Sequence, residues 1–165
     1  MTPLPRRAVL IAVLALAACT QKPPAPIDGP DPAKTFLAAN AKAPGVLTTA
    51  SGLQYRILRS GPASGLRPKL ADEVKVNYEG KLVTGEVFDS SYERGHPEVM
   101  TLHGLVPGWI EALQLMRPGD EWLLYVPPKL GYGPEGKGPI PPDSVLVFKI
   151  ELIDVLPDQT SIGRG

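Results

Sequence analysis

The chain has 165 residues, room for one domain of ordinary size plus appendages, and its 43% hydrophobic content can supply a core. Seventeen bases balance seventeen acids, and no basic run or Arg/Lys stripe interleaved with aromatics is present, so no nucleic-acid partner is expected. Proline is the outlier at 20 residues, roughly twice the usual ~5%, and it clusters in a linker and one late loop where it shapes connections.

Residues 1–18 read as an export signal. Arg6 and Arg7 form the positive start, and Ala8 to Ala18 is an apolar run too short to span a bilayer of ~30 Å as a helix. The run ends Leu16-Ala17-Ala18-Cys19, which resembles the lipobox of bacterial lipoproteins; that resemblance implies lipidation of Cys19. Two other readings stand beside it: an ordinary signal peptide with an incidental cysteine, and a twin-arginine signal. Thr20, not an aspartate, resembles sorting to the outer membrane, so the expected location is the cell envelope, lipid-anchored and facing the periplasm. Without the leader the charge is 15 bases against 17 acids, and no cysteine remains for a disulfide.

Residues 20–32 are a Pro-rich tether. Asp31 is placed to cap a short helix with Pro32 at its first position; Pro44-Gly45 ends it. A helix of about three turns cannot fold alone, so it either packs on the domain or stays loose. Residues 52–59 alternate as a strand with Leu53, Tyr55 and Ile57 on one face. Val74, Val76 and Tyr78 share a face of the next strand, Thr84-Gly85 turns the chain, and Phe88-Asp89 returns beside Tyr78. Pro107-Gly108 breaks the chain before a helix over 108–116, whose Trp109, Ala112, Leu113 and Met116 recur at helical spacing. Glu121 to Val126 reads as a buried strand, apolar on both faces. Residues 127–143 form a long Gly/Pro loop of the kind that is usually functional when ordered. Val145 to Val155 is the last strand, with Leu146, Phe148, Ile150 and Leu152 on one face. The sum is an α+β domain, and its converging aromatics with one acid suggest a small apolar pocket holding one polar group.

Residues 131–136 fit GxGxxG, and residues 131–137 nearly fit a phosphate-binding loop. Both need a helix directly afterwards; Pro139, Pro141 and Pro142 forbid one, and Gly138 stands where Ser or Thr should be. His96 and His103 lack the partners of a zinc site, and no Ser-His-acid set is suggested. An enzyme built on these residues would use neither a nucleophile nor a metal.

Val76-Asn77-Tyr78-Glu79-Gly80, Gly85 to Ser91, Val106-Pro107-Gly108-Trp109, Met116 to Gly119, Gly131-Tyr132-Gly133, Ile140-Pro141-Pro142 and Val147 to Leu152 closely resemble the FKBP-type peptidyl-prolyl cis/trans isomerases. The match runs from about Ser51 to Val155, and Thr48 to Tyr55 further resembles bacterial members related to macrophage infectivity potentiator. The resemblance implies a curved antiparallel β-sheet wrapped around one short α-helix. It divides the chain into a signal (1–18), a tether with a short helix (19–44), an isomerase domain (45–156) and a tail (157–165). It implies acceleration of rotation about Xaa-Pro bonds in exported polypeptides, with no cofactor, and inhibition by macrolides. Carried over by position, Phe88, Asp89, Trp109 and Tyr132 would be catalytic; Tyr78, Arg94, Met100, Leu105, Val106, Ile140 and Phe148 would bind substrate. Trp109 would be the floor, Leu105 and Ile140 walls, Arg94 the group orienting Asp89, and the Val106 N–H and Tyr132 hydroxyl the donors. Met100 stands near where relatives place a Phe, and the loop 134–139 is short; both bear on preference. Too little chain precedes residue 45 for the helical dimerisation arm of some relatives, so a monomer is expected. The competing class is a binding module with an idle pocket, and a minor alternative gives the main role to the tether and helix 32–43.

Overall fold

The computed structural model describes residues 31–158; the export signal, Cys19, the tether as far as Pro30 and the end of the tail lie outside the described residues. Seven antiparallel strands form one sheet: β1 (Leu47–Thr48), β2 (Gln54–Arg59), β3 (Glu73–Leu82), β4 (Val87–Ser90), β5 (Glu98–Thr101), β6 (Glu121–Val126) and β7 (Leu146–Leu156). The order is β1-β2-β6-β7-β3-β4, and β5 also pairs with β3. β3 is the hub. One edge runs along β7 from Glu73↔Leu156 to Leu82↔Leu146. The other edge is shared: β5 pairs with residues 73–76, and β4 with residues 79–81.

Among the described residues three α-helices accompany the sheet, α1 (Pro32–Asn40), α2 (Ser91–Arg94) and α3 (Pro107–Leu115), with three short 3-10 turns in the loops. α3 begins one residue before the expected start because Pro107 occupies its first turn, where a missing N–H costs nothing. Met116 caps it rather than ending it. All four periodic residues, Trp109, Ala112, Leu113 and Met116, are buried among Val74, Val76, Leu124, Ile150 and Leu152 of the sheet. Burying a Leu or Met side chain of this kind contributes about 1.5–3 kcal/mol, so the seam between α3 and the sheet is the core. Gly108 lets the helix close on β6: a Cβ there would lie 2.7 Å from Val126 Cγ1. Among the described residues no helix is long and apolar enough to cross a membrane.

Two local readings are corrected, and one short helix was not anticipated. Leu53 is buried and Tyr55 stacks on Trp122 at 4.5 Å, but Ile57, on the same face, is 43% exposed. β6 pairs with β2 as far as Arg59, but β1 pairs only with residues 54 and 55, so beyond them β2 is an open sheet edge and Ile57 stays exposed. β6 is not buried on both faces; Trp122, Leu124 and Val126 face the core, while Leu123 and Tyr125 are only half-buried. The four-residue helix α2 has no apolar periodicity to reveal it. Ser90 caps its start, accepting from Glu93 N at 3.3 Å, and Gly95 ends it.

The structure decides between the two readings of α1. Asp31 caps it, accepting from Ala33 N at 2.9 Å and Lys34 N at 3.3 Å. The helix packs on the outer face of the sheet, with Phe36 set 6.1 Å from the Tyr125 ring. Gln54 is the clamp: buried beneath α1, it accepts from Asn40 Nδ2 at 2.8 Å and donates to the Leu37 carbonyl at 2.9 Å. Gln54→Ala should therefore lower stability by about 1–3 kcal/mol, read as a lower urea midpoint at unchanged slope.

Candidate active site

The site is a cavity of about 330 Å³ on the concave side of the sheet, lined by Tyr78, Phe88, Asp89, Trp109 and Phe148, with Met100, Gly104, Leu105, Val106, Tyr132 and Lys137 around them. Its floor is Trp109, only 4% exposed. Tyr78 from β3 meets the Trp109 ring edge-on at 5.1 Å and 85°, and Phe148 from β7 does so at 5.1 Å and 86°. Phe88 from β4 then stands edge-on to Phe148 at 5.6 Å and 88°. Each such pair contributes about 0.5–1.5 kcal/mol beyond area burial, so the rings form a stiff box.

Register explains why the rings can gather. Gly80 is paired with Phe148 on one side and Asp89 on the other. A Cβ at Gly80 would lie 2.6 Å from the Phe148 ring and 2.7 Å from that of Phe88. Such distances are inside van der Waals contact, so any side chain at position 80 would displace both rings. Tyr78 is braced from behind, where its backbone N–H donates to the buried Ser91 Oγ at 2.8 Å.

Asp89 is the one carboxylate at the cavity. Its Oδ2 accepts from Tyr78 Oη at 2.6 Å, and its Oδ1 pairs with Arg94 Nη1. Arg94 Nη2 donates to Tyr78 Oη at 2.8 Å, and Arg94 Nε donates to Glu98 Oε1 at 2.8 Å. Burial pushes the Asp89 carboxyl up, but the Tyr78 hydroxyl and the Arg94 guanidinium outweigh it, and the group is held below its ordinary value. Burial and the hydrogen bond to Asp89 push the Tyr78 phenol up to about 12. At neutral pH the set is an ionised acid, a neutral phenol and a cation.

Val106 precedes α3 in extended conformation; its carbonyl accepts the first helical bonds from Trp109 N and Ile110 N, and its own N–H has no acceptor among the described residues. The Trp109 indole N–H is also buried without a partner among them. Of the residues anticipated at the site, Arg94 stands behind Asp89 and Tyr78 rather than lining the cavity, and Ile140 lies in the core outside the lining. Gly104 and Lys137 line it and escaped the sequence reading. The signal for Lys137 was present: it is the sole side chain in Gly136-Lys137-Gly138. No cluster of three metal-ligating side chains occurs among the described residues. A larger cleft of about 610 Å³ beside α1, lined by residues such as Ala33, Leu37 and Pro127, gathers no aromatic ring, so size alone does not mark the site.

A family model described as "FKBP-type peptidyl-prolyl cis-trans isomerase" matches residues 65–153, and one described as "Domain amino terminal to FKBP-type peptidyl-prolyl isomerase" matches residues 30–57. The chain belongs to the FKBP-type isomerase family. It is 52% identical over 123 residues to "Peptidyl-prolyl cis-trans isomerase Mip" of Coxiella burnetii, covering 74% of this chain and 53% of that one. It is 46% identical to "Outer membrane protein MIP" of Legionella longbeachae, covering 73% of this chain and 51% of that one. This FKBP chain thus spans about half the length of these curated relatives. The crystal structure of a peptidyl-prolyl cis-trans isomerase from Pseudomonas syringae superposes with a TM-score of 0.70 at 38% identity, covering 76% of this chain and 91% of that one.

Asp89 and Tyr78 set opposite pH limits. Asp89, depressed in the folded state, contributes stability that is present above about pH 4 and lost as pH falls through its folded value. Tyr78, raised in the folded state, contributes stability that is complete below about pH 10 and lost as pH rises through about 12. Ultraviolet titration of the folded protein should show a phenol ionising near 12 that Tyr78→Phe removes and Asp89→Asn moves down.

Proposed function

We propose that the chain is a peptidyl-prolyl cis-trans isomerase acting on Xaa-Pro bonds of exported polypeptides. The observation that carries the proposal is the box of edge-on rings around Trp109, with a compensated carboxylate at its edge. Unassisted rotation faces a barrier of ~18–20 kcal/mol and takes about tens to hundreds of seconds. Twisting the imide breaks its resonance, so charge separation between oxygen and nitrogen falls. The twisted form therefore loses less on leaving water than either planar form does. A pocket that binds it more tightly than the planar forms lowers the barrier, with no covalent step and no cofactor.

In this proposal the proline ring lies over Trp109 between Tyr78, Phe88 and Phe148, and Met100 and Leu105 close the wall. The Val106 N–H and the Tyr132 hydroxyl donate to substrate carbonyls. Arg94 and Tyr78 hold Asp89 ionised and fixed, which locks the Tyr78 ring and sets a negative field at one side of the rotating bond. Macrolides that fill the ring box would compete with substrate.

The protein is proposed to act at the cell envelope, a location that the names of its relatives support. Lipidation of Cys19, and through it attachment to the periplasmic face of the outer membrane, rests on the lipobox-like residues 16–19.

Two measurements check this. Trp109→Ala and Phe88→Ala should each lose roughly tenfold or more in kcat/KM for cis/trans exchange of a short Xaa-Pro peptide, with Asp89→Ala losing less. Undiminished exchange by a folded Phe88→Ala variant would sink the pocket assignment. Cys19→Ser should abolish labelling by radioactive palmitate and release the protein from the membrane fraction.

A further inference from the structure

Two ionised side chains line the cavity, Asp89 and Lys137, and their surroundings differ. Asp89 is compensated by Arg94, which also holds Glu98 at 2.8 Å; His96 Nδ1 lies 3.7 Å from the same Glu98 oxygen. Asp89 and Glu98 thus set two acids against the one base, Arg94. Lys137 lines the same cavity beside Tyr132. Its Nζ lies 5.1 Å from the centre of the Tyr132 ring, and it forms no ion pair within 4.0 Å among the described residues.

The loop that carries Lys137 is built around it. Lys137 N donates to the Ile140 carbonyl at 3.0 Å, and Ile140 N donates back to the Lys137 carbonyl at 2.9 Å. Gly136 sits at φ +65°, and a Cβ there would lie 2.3 Å from the Ile140 carbonyl oxygen. Only glycine allows that approach. Flanked by two glycines, Lys137 is the one side chain the turn presents. The same residues 131–137 that imitate a phosphate loop thus hold an ammonium group over an aromatic ring at the cavity edge.

We infer that Lys137 is a specificity-determining residue: the cavity prefers prolines flanked by an acidic residue, with the client carboxylate on the Tyr132 side. The carboxylates of Asp89 and Glu98 repel a client carboxylate placed near them. An exposed ion pair of this kind supplies about 0.2–1 kcal/mol, which converts to a preference of about 1.4- to fivefold and weakens with salt. The inference names the substrate class of the proposed isomerase site and rests on that reading.

The test uses the full-length chain and short peptides alike except for Glu, Gln or Lys before or after proline. NMR titration gives each Kd, and exchange spectroscopy gives each cis/trans rate. The expected order of affinity in one of the two positions is Glu over Gln over Lys at low salt, flattening in 0.5 M salt as the Debye length falls to about 4 Å. Lys137→Glu should reverse the order. Lys42→Glu, the same charge change in the segment after α1, should leave it intact. Equal affinities, or an order that Lys137→Glu does not alter, overturn the inference even if every peptide is accelerated. A Lys137-dependent order without acceleration sustains it for binding and overturns the isomerase reading alone. No binding of any peptide overturns both.

Discussion

Two phenylalanine rings occupy the space that a side chain at position 80 would need. Much of the site follows from that vacancy. Gly80 lies opposite both Phe148 and Asp89, so one missing side chain lets two rings close over β3 and sets the acid beside Tyr78. Trp109 then enters from α3 and meets Tyr78 and Phe148 edge-on. The box is rigid because each ring is held by a different element: β3, β4, β7 and α3.

Electrostatics refine what packing builds. A carboxylate beside three aromatic rings would be costly if unpaired. Here Arg94 and the Tyr78 hydroxyl satisfy it, and the short helix α2 exists to deliver Arg94. Splitting one edge of β3 between β4 and β5 makes room for that helix. Asp89 and Lys137 line the same small cavity.

Much of this was legible along the chain. Alternation in β3 and β7 and the helical spacing of α3 each persist over many residues, and burial of one face enforces them. Legibility failed where the answer depended on neighbours. Ile57 has the spacing of a core residue but lies beyond the last paired residue of β1. Gln54 looks like a solvent-facing strand residue, yet α1 covers it and takes both of its amide bonds. Ile140 turned into the core, and Lys137, a few residues away in the same turn, reached the cavity. Loop geometry of that kind has no periodicity from which to read it.

The sequence alone therefore determined the α+β class, the strand and helix periods, and the family, because these rest on residue type and spacing within single segments. Only the tertiary structure decided that α1 docks on the outer face, that Arg94 also pairs with Glu98, and that Lys137 stands over Tyr132. Each of those is a contact between residues whose separation along the chain does not fix their distance in space. Closing such contacts depends on the twist of the sheet and the path of the connecting loops, and the pattern within any one segment carries neither.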